Sequence, residues 1–143
     1  MNSTTDLDDD FRLCEEEFSR VTENKPKHFP VSKYSQRDRV IVLVWHFAGI
    51  IENSGFAGVL GRDSPGDPDF KLLGKAFSTI GCGELIGNVA NQFPDSAIPS
   101  NRLDRVKYWD TIDESVRVGL NKAFWDAEDE ITRKLALFIR TKN

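Results

Sequence analysis

Apolar positions recur along this chain at helical spacing. Leu7, Phe11, Cys14, Phe18 and Val21 follow one another at steps of four, three, four and three, which places them on one stripe of a helix with most of the acids around it. Thr5 stands where an N-cap would, and acids crowd the first turns, where the helix dipole favours them. Asn24 to Val31, with Pro26 and Pro30, reads as a linker.

The run Val40-Ile41-Val42-Leu43-Val44 is rich in β-branched residues and would also suit a buried strand. Its flanks favour helix. Ser35 with Asp38 three residues later makes a capping-box-like start, the run lasts to Glu52, and Asn53-Ser54-Gly55 supplies a stop. Phe56 to Leu60 predicts one short helical turn, and Gly61 to Gly66 a loop. Asp67 as N-cap and Pro68 as first helical residue then open a helix whose inner face is Phe70, Leu73, Phe77 and Ile80, with Gly81 as its end.

Further helices are expected over Gly83 to Gln92, Ser100 to Trp109, Ile112 to Trp125 and Glu128 to Arg140, the last with Ile131, Leu135 and Phe138 on one side. The pattern predicts an all-α, single-domain bundle of about six or seven helices. Within it, residues 1–34 form an acidic N-terminal helix and basic linker, and residues 35–143 a helical domain. The pattern leaves open whether the acidic helix packs on the rest.

Composition agrees. A chain of 143 residues suits one core, and an apolar share of 39% with ten Phe and three Trp is too high for a disordered tail. The longest apolar stretch, Val40 to Ile51, falls short of the roughly 20 residues needed to cross a bilayer, so it is read as a core element and no membrane is expected. Cys14 and Cys82 lie far apart behind a polar, acidic start, which points to reduced thiols and a cytoplasmic location.

The net charge of −4 conceals an uneven distribution. Residues 1–24 hold eight acids against Arg12 and Arg20, a balance of −6. Residues 25–39 swing to +4, with Lys25, Lys27, Lys33, Arg37 and Arg39 against Asp38, and the simplest reading is that they neutralise the acidic helix. Two acidic clusters stand out: Asp8, Asp9, Asp10, Glu15 and Glu16 in the first helix, and Asp126, Glu128, Asp129 and Glu130 between the last two. Either forms a solvated face or a negative surface that attracts a basic partner.

Other candidate chemistry is thin. Cys82 near a helix start could be an activated nucleophile, but no motif places His28 or His46 as its base, and a small core residue explains it better. His46, inside an apolar run, reads as a hydrogen-bonded core histidine, so no metal is expected. Asp63, Asp67 and Asp69 suggest calcium, but the EF-hand register places Gly74 where Glu is required. Asn53, Gly55 and Phe56 read as a helix C-cap with Phe56 dropping into the core.

The order Glu52-Asn53-Ser54-Gly55-Phe56, then Phe77-Ser78-Thr79-Ile80-Gly81-Cys82, then Ala90-Asn91-Gln92-Phe93-Pro94 and a closing amphipathic helix, resembles the DNA-mimic-protein-like family of small helical domains. The resemblance covers roughly residues 35–142 and rests on Asn53, Gly55, Phe56, Ile80 and Gly81. Ser54 replaces the first Gly of the family's Asn-Gly-Gly-Phe signature, Cys82 replaces the Ala of its Ile-Gly-Ala step, and Val59 and Leu60 stand where aromatic residues are usual. The resemblance implies a helical fold and, from the acidic members, a protein that imitates DNA and occupies a DNA-binding protein. The resulting expectation is a macromolecule-binding module, not an enzyme, with a protein partner such as a basic DNA-binding protein, no direct nucleic-acid binding, no cofactor, and a homodimer left open. A small hydrolase or thiol enzyme using Cys82 is the alternative.

Overall fold

The run Val40 to Val44 forms the middle of a helix, α2 (Gln36–Leu60), in a computed structural model that describes residues 3–141. All five residues of that run are buried, so along this run the helix is enclosed on every side. A β-branched residue gives up about 0.5 kcal/mol in a helix, whereas burying an aliphatic side chain contributes about 1.5–3 kcal/mol, so burial decides. Start and cap are as expected, with Ser35 Oγ accepting the Asp38 N–H at 3.2 Å. At 25 residues α2 is long and apolar enough to cross a membrane by length and composition, but half of its most apolar window is buried inside the fold.

Six more helices surround it among the described residues, and no strand is present there: α1 (Ser3–Thr22), α3 (Lys71–Thr79), α4 (Gly83–Ala90), α5 (Arg102–Thr111), α6 (Glu114–Asp126) and α7 (Glu128–Thr141). All pack on α2 except α4, which is held by α3 and α6. A chain of edge-on aromatic rings ties the layers together. Phe56 meets Trp109 at 6.5 Å and Phe124 at 5.8 Å, and Phe124 meets Phe77 at 6.1 Å. These contacts join α2, α5, α6 and α3 in one core.

Gly55 breaks α2 at the expected stop. Its φ of 66° and ψ of −173° lie in a region open essentially to glycine alone. The helix resumes at once, and Phe56 turns inward to 2% exposure. Asn121 of α6 closes the break, its Oδ1 accepting the Phe56 N–H at 2.9 Å.

The start of α3 differs from expectation. Helix begins at Lys71, not Pro68, because Phe70 adopts a left-handed conformation (φ 59°) that interrupts the turn and sends its ring into the core. Asp67 still caps α3, but from outside it: its carboxylate accepts the N–H groups of Leu72 at 2.8 Å and Leu73 at 2.9 Å.

Arg105 of α5 is 1% exposed. Its guanidinium donates to five carbonyls, those of Leu60, Arg62, Pro68, Pro99 and Ser100, at 2.9–3.1 Å. It also lies 4.9 Å from the centroid of the Phe70 ring. One side chain thus fixes the end of α2, the loop leading to α3 and the approach to α5.

The acidic helix does pack on the rest. Arg140 of α7 pairs with Asp10 at 2.8 Å, and the Cys14 thiol donates to the Thr132 carbonyl at 3.6 Å, which sets α1 antiparallel to α7. α1 begins at Ser3, so Thr5 lies within the helix and is not its N-cap. Of the expected stripe, Cys14 and Val21 are buried, whereas Phe11 is 52% exposed, edge-on to Trp45 at 5.1 Å.

Candidate functional site

The acids of α1 divide by the direction in which the helix turns them. Asp10 faces α7, is 9% exposed and is held by Arg140. Glu15 is exposed but accepts the Trp45 indole N–H at 2.6 Å, so it braces α1 against α2. Asp9 lies 3.7 Å from Arg12 one turn on. Asp8 and Glu16 face solvent with no cation within ion-pair distance among the described residues.

The second cluster sits where α6 meets α7. Asp126 pairs with Lys122 at 2.6 Å and Glu130 with Lys134 at 2.8 Å, both one turn apart on the same helix. Glu128 and Asp129 have no such partner among the described residues. Glu52, from α2, stands near them. Burial pushes the Glu128 carboxyl up from its ordinary value, and the charges of Glu52 and Asp129 push it the same way. Trp125 helps to hold the junction to α2, donating its indole N–H to the Ile51 carbonyl at 3.2 Å.

Glu52 escaped the sequence reading as a site residue, because nothing in its spacing joins it to acids more than seventy positions away. Its own helix works against it. Glu52 lies in the last turn before the break at Gly55, where the helix dipole disfavours negative charge. The antiparallel pairing of α1 with α7 also keeps the two clusters apart: Asp10 lies beside Arg140, at the opposite end of α7 from Glu128 and Asp129.

The signature residues are architectural. Asn53 donates its side-chain amide to the Gly49 carbonyl at 3.0 Å, Gly55 supplies the break and Phe56 fills the core. Ile80 is buried, and Gly81 (φ 85°) ends α3. The Cys82 N–H then returns to the Phe77 carbonyl at 2.8 Å and that of Gly81 to Ser78 at 3.0 Å, the bonding that closes a helix C-terminus through a left-handed glycine.

Cys82 is 5% exposed just before α4. Burial pushes its thiol up; Lys134 pulls it down, and Glu130 and Glu84 oppose Lys134. A helix start alone would favour the thiolate, but here desolvation prevails.

The basic segment does less neutralising than its charge suggests. Among the described residues, Arg37 alone of its cations reaches an acid of α1, lying 3.7 Å from Glu17. Arg39 instead donates to the carbonyls of Ser32 and Tyr34, and Lys25 sits over the rings of Phe29 and Tyr34. His46 is not a core histidine either. It is exposed on α2, with its ring parallel to that of Phe18 (4°, 6.3 Å between centroids). The apolar run around it turns inward and leaves this position on the side where α1 crosses.

The family described as DMP19-like protein matches residues 32–142 of this chain. No curated protein and no solved structure matches it.

Proposed function

Because the chain belongs to the DMP19-like protein family, a family of DNA mimics, we propose that it is a binding module whose negative surface occupies a basic, DNA-binding protein. The observation that carries this reading is Glu52 beside Glu128 and Asp129. The three acids meet from two helices, no cation is within ion-pair distance of them among the described residues, and burial, with the charges of Glu52 and Asp129 acting the same way, holds Glu128 above its ordinary value. Packing does not require a negative charge there, and a basic partner would relieve the repulsion. Asp8, Glu16 and the outward edge of Asp9 offer a second, separate patch of negative charge on α1.

The reading is of a protein that binds without catalysis. In support of this, Cys82 is buried with its thiol raised, and Asp67 is engaged in capping. Both cysteines are free and buried, which suits a reducing compartment and hence the cytoplasm. Direct binding to nucleic acid is not part of the reading, since the acids that carry it would repel phosphate.

The test is a partner recovered from the host by pull-down and identified by mass spectrometry, followed by titration at rising salt. Affinity should fall steeply with salt, and Glu52→Gln, Glu128→Gln and Asp129→Asn together should weaken it. Affinity indifferent to salt, to these changes and to Asp8→Asn with Glu16→Gln would overturn the proposal.

A further inference from the structure

A concavity of about 830 Å³ opens between the end of α1, the connection from Lys25 to Tyr34, the middle of α2 and the loop after Gly61. Its walls are aromatic. Phe18 and His46 stand parallel across the α1–α2 crossing, and Phe29 meets Tyr34 edge-on at 5.0 Å. The connection is held over the loop by the Val31 N–H, which donates to the Pro65 carbonyl at 2.9 Å. The space is therefore bounded by fixed backbone.

Its charge runs against that of the molecule. On a chain of net charge −4, the lining carries Lys25, Lys27, Arg62 and Arg102 against the single acid Asp63. Asp63 lies 3.9 Å from Arg105. Arg62 donates its Nε–H to the Gly58 carbonyl, which anchors the guanidinium by one of its three nitrogens. None of the four lining cations has a carboxylate within ion-pair distance among the described residues. They come from three separate stretches of chain, so their convergence is a product of the fold.

We propose that this concavity binds a nucleoside phosphate, its cations holding the phosphates and its rings facing the base, with Lys25 leaving its place over Phe29 and Tyr34 to reach a phosphate. A ligand that satisfies both halves must carry dense negative charge beside a flat ring. An acidic peptide spreads its charge at about 3.3 Å per residue when extended, and a bare polyanion leaves the rings unused. The volume is within the roughly 300–1,000 Å³ of small-molecule sites, and a duplex cannot enter it. The site is independent of the acidic surface on Glu52, Glu128 and Asp129.

Isothermal titration at low salt with ATP, GTP, CTP and UTP, beside adenosine, tripolyphosphate and an eight-residue poly-glutamate, tests the assignment. At least one nucleotide should bind, with adenosine and tripolyphosphate each weaker by about tenfold or more, equivalent to about 1.4 kcal/mol. Arg102→Gln with Lys27→Gln should lower nucleotide affinity by about tenfold, and Phe29→Leu should lower it while leaving tripolyphosphate binding unchanged. Far-UV circular dichroism establishes that each variant is folded, and native-state crosslinking of a photoreactive ATP analogue to residues 25–34 provides a readout without mutation. The proposal is overturned if no nucleotide binds the parent protein, if tripolyphosphate or poly-glutamate binds as tightly as the best nucleotide, or if crosslinks fall elsewhere.

Discussion

Asn121 and Phe56 are joined by a hydrogen bond of 2.9 Å in which a side chain of α6 takes the backbone N–H left free by the break in α2. The two helices therefore hold each other at the one place where α2 is not a helix. Asn121→Ala leaves that donor unpaired and should cost about 1–3 kcal/mol in chemical denaturation. Gly55→Ala should cost at least as much, because its backbone is in a glycine-only region and an added Cβ would lie 2.9 Å from the Asn121 amide nitrogen. If Gly55→Ala is neutral, the break is not where the structure places it.

Arg105 should be among the least replaceable side chains. Arg105→Met removes the donors of five carbonyls that nothing nearby replaces, so a loss of more than about 3 kcal/mol is expected in urea unfolding. Arg105→Lys should recover only part, since an ammonium cannot reproduce the planar fork. A variant within about 1 kcal/mol of the parent would contradict this role.

Neither relationship was readable beforehand. Helix stops were legible at Gly55 and Gly81 because a left-handed backbone selects glycine, and Ser35 was legible because a cap is local. Arg105 and Asn121 act across 45 and 65 residues, and in a helix pattern each looks like a solvated polar position. Phe70 misled the reading of α3 because periodicity reports that a side chain turns inward, not the backbone conformation that turns it. Of the candidate site, the acids were legible in number but not in company. Whether each faces Arg140, Trp45 or solvent is decided by the crossing of α1 with α2 and α7, and Glu52 joins its neighbours only through the packing of α7 on α2.

Burial pushes the Cys14 thiol up to about 12, with Asp10 adding and Arg140 opposing. The folded protein thus holds this proton more tightly than the unfolded chain. The stabilisation is full below the ordinary value of 9.0 and is lost as pH rises toward 12. The stability advantage of the parent over Cys14→Ala should shrink from about pH 9 upward when urea midpoints are compared, and a constant gap would count against the buried neutral thiol. At neutral pH, alkylation of Cys14 and Cys82 should be slow until the protein is unfolded. Fast labelling of native Cys82 would instead favour the thiol-enzyme alternative.

Glu52→Gln should move two measurements in opposite directions. Removing a charge from the last turn before Gly55 and from beside Glu128 and Asp129 should raise folding stability by about 0.3–1 kcal/mol. On the proposed function, the same change should weaken binding to a basic partner. If stability and affinity fall together, Glu52 is a structural residue and the negative surface lies elsewhere.

The contact between Cys14 and Thr132 spans 118 positions. During synthesis at about 5–20 residues per second, α1 leaves the ribosome on the order of ten seconds before the helix it rests on exists. Through that interval the apolar stripe around Cys14, Phe18 and Val21 has only α2 to cover it. Net negative charge on the nascent segment opposes self-association over that interval, since chains of like sign repel one another. Asp10 gains its partner Arg140 only when α7 arrives.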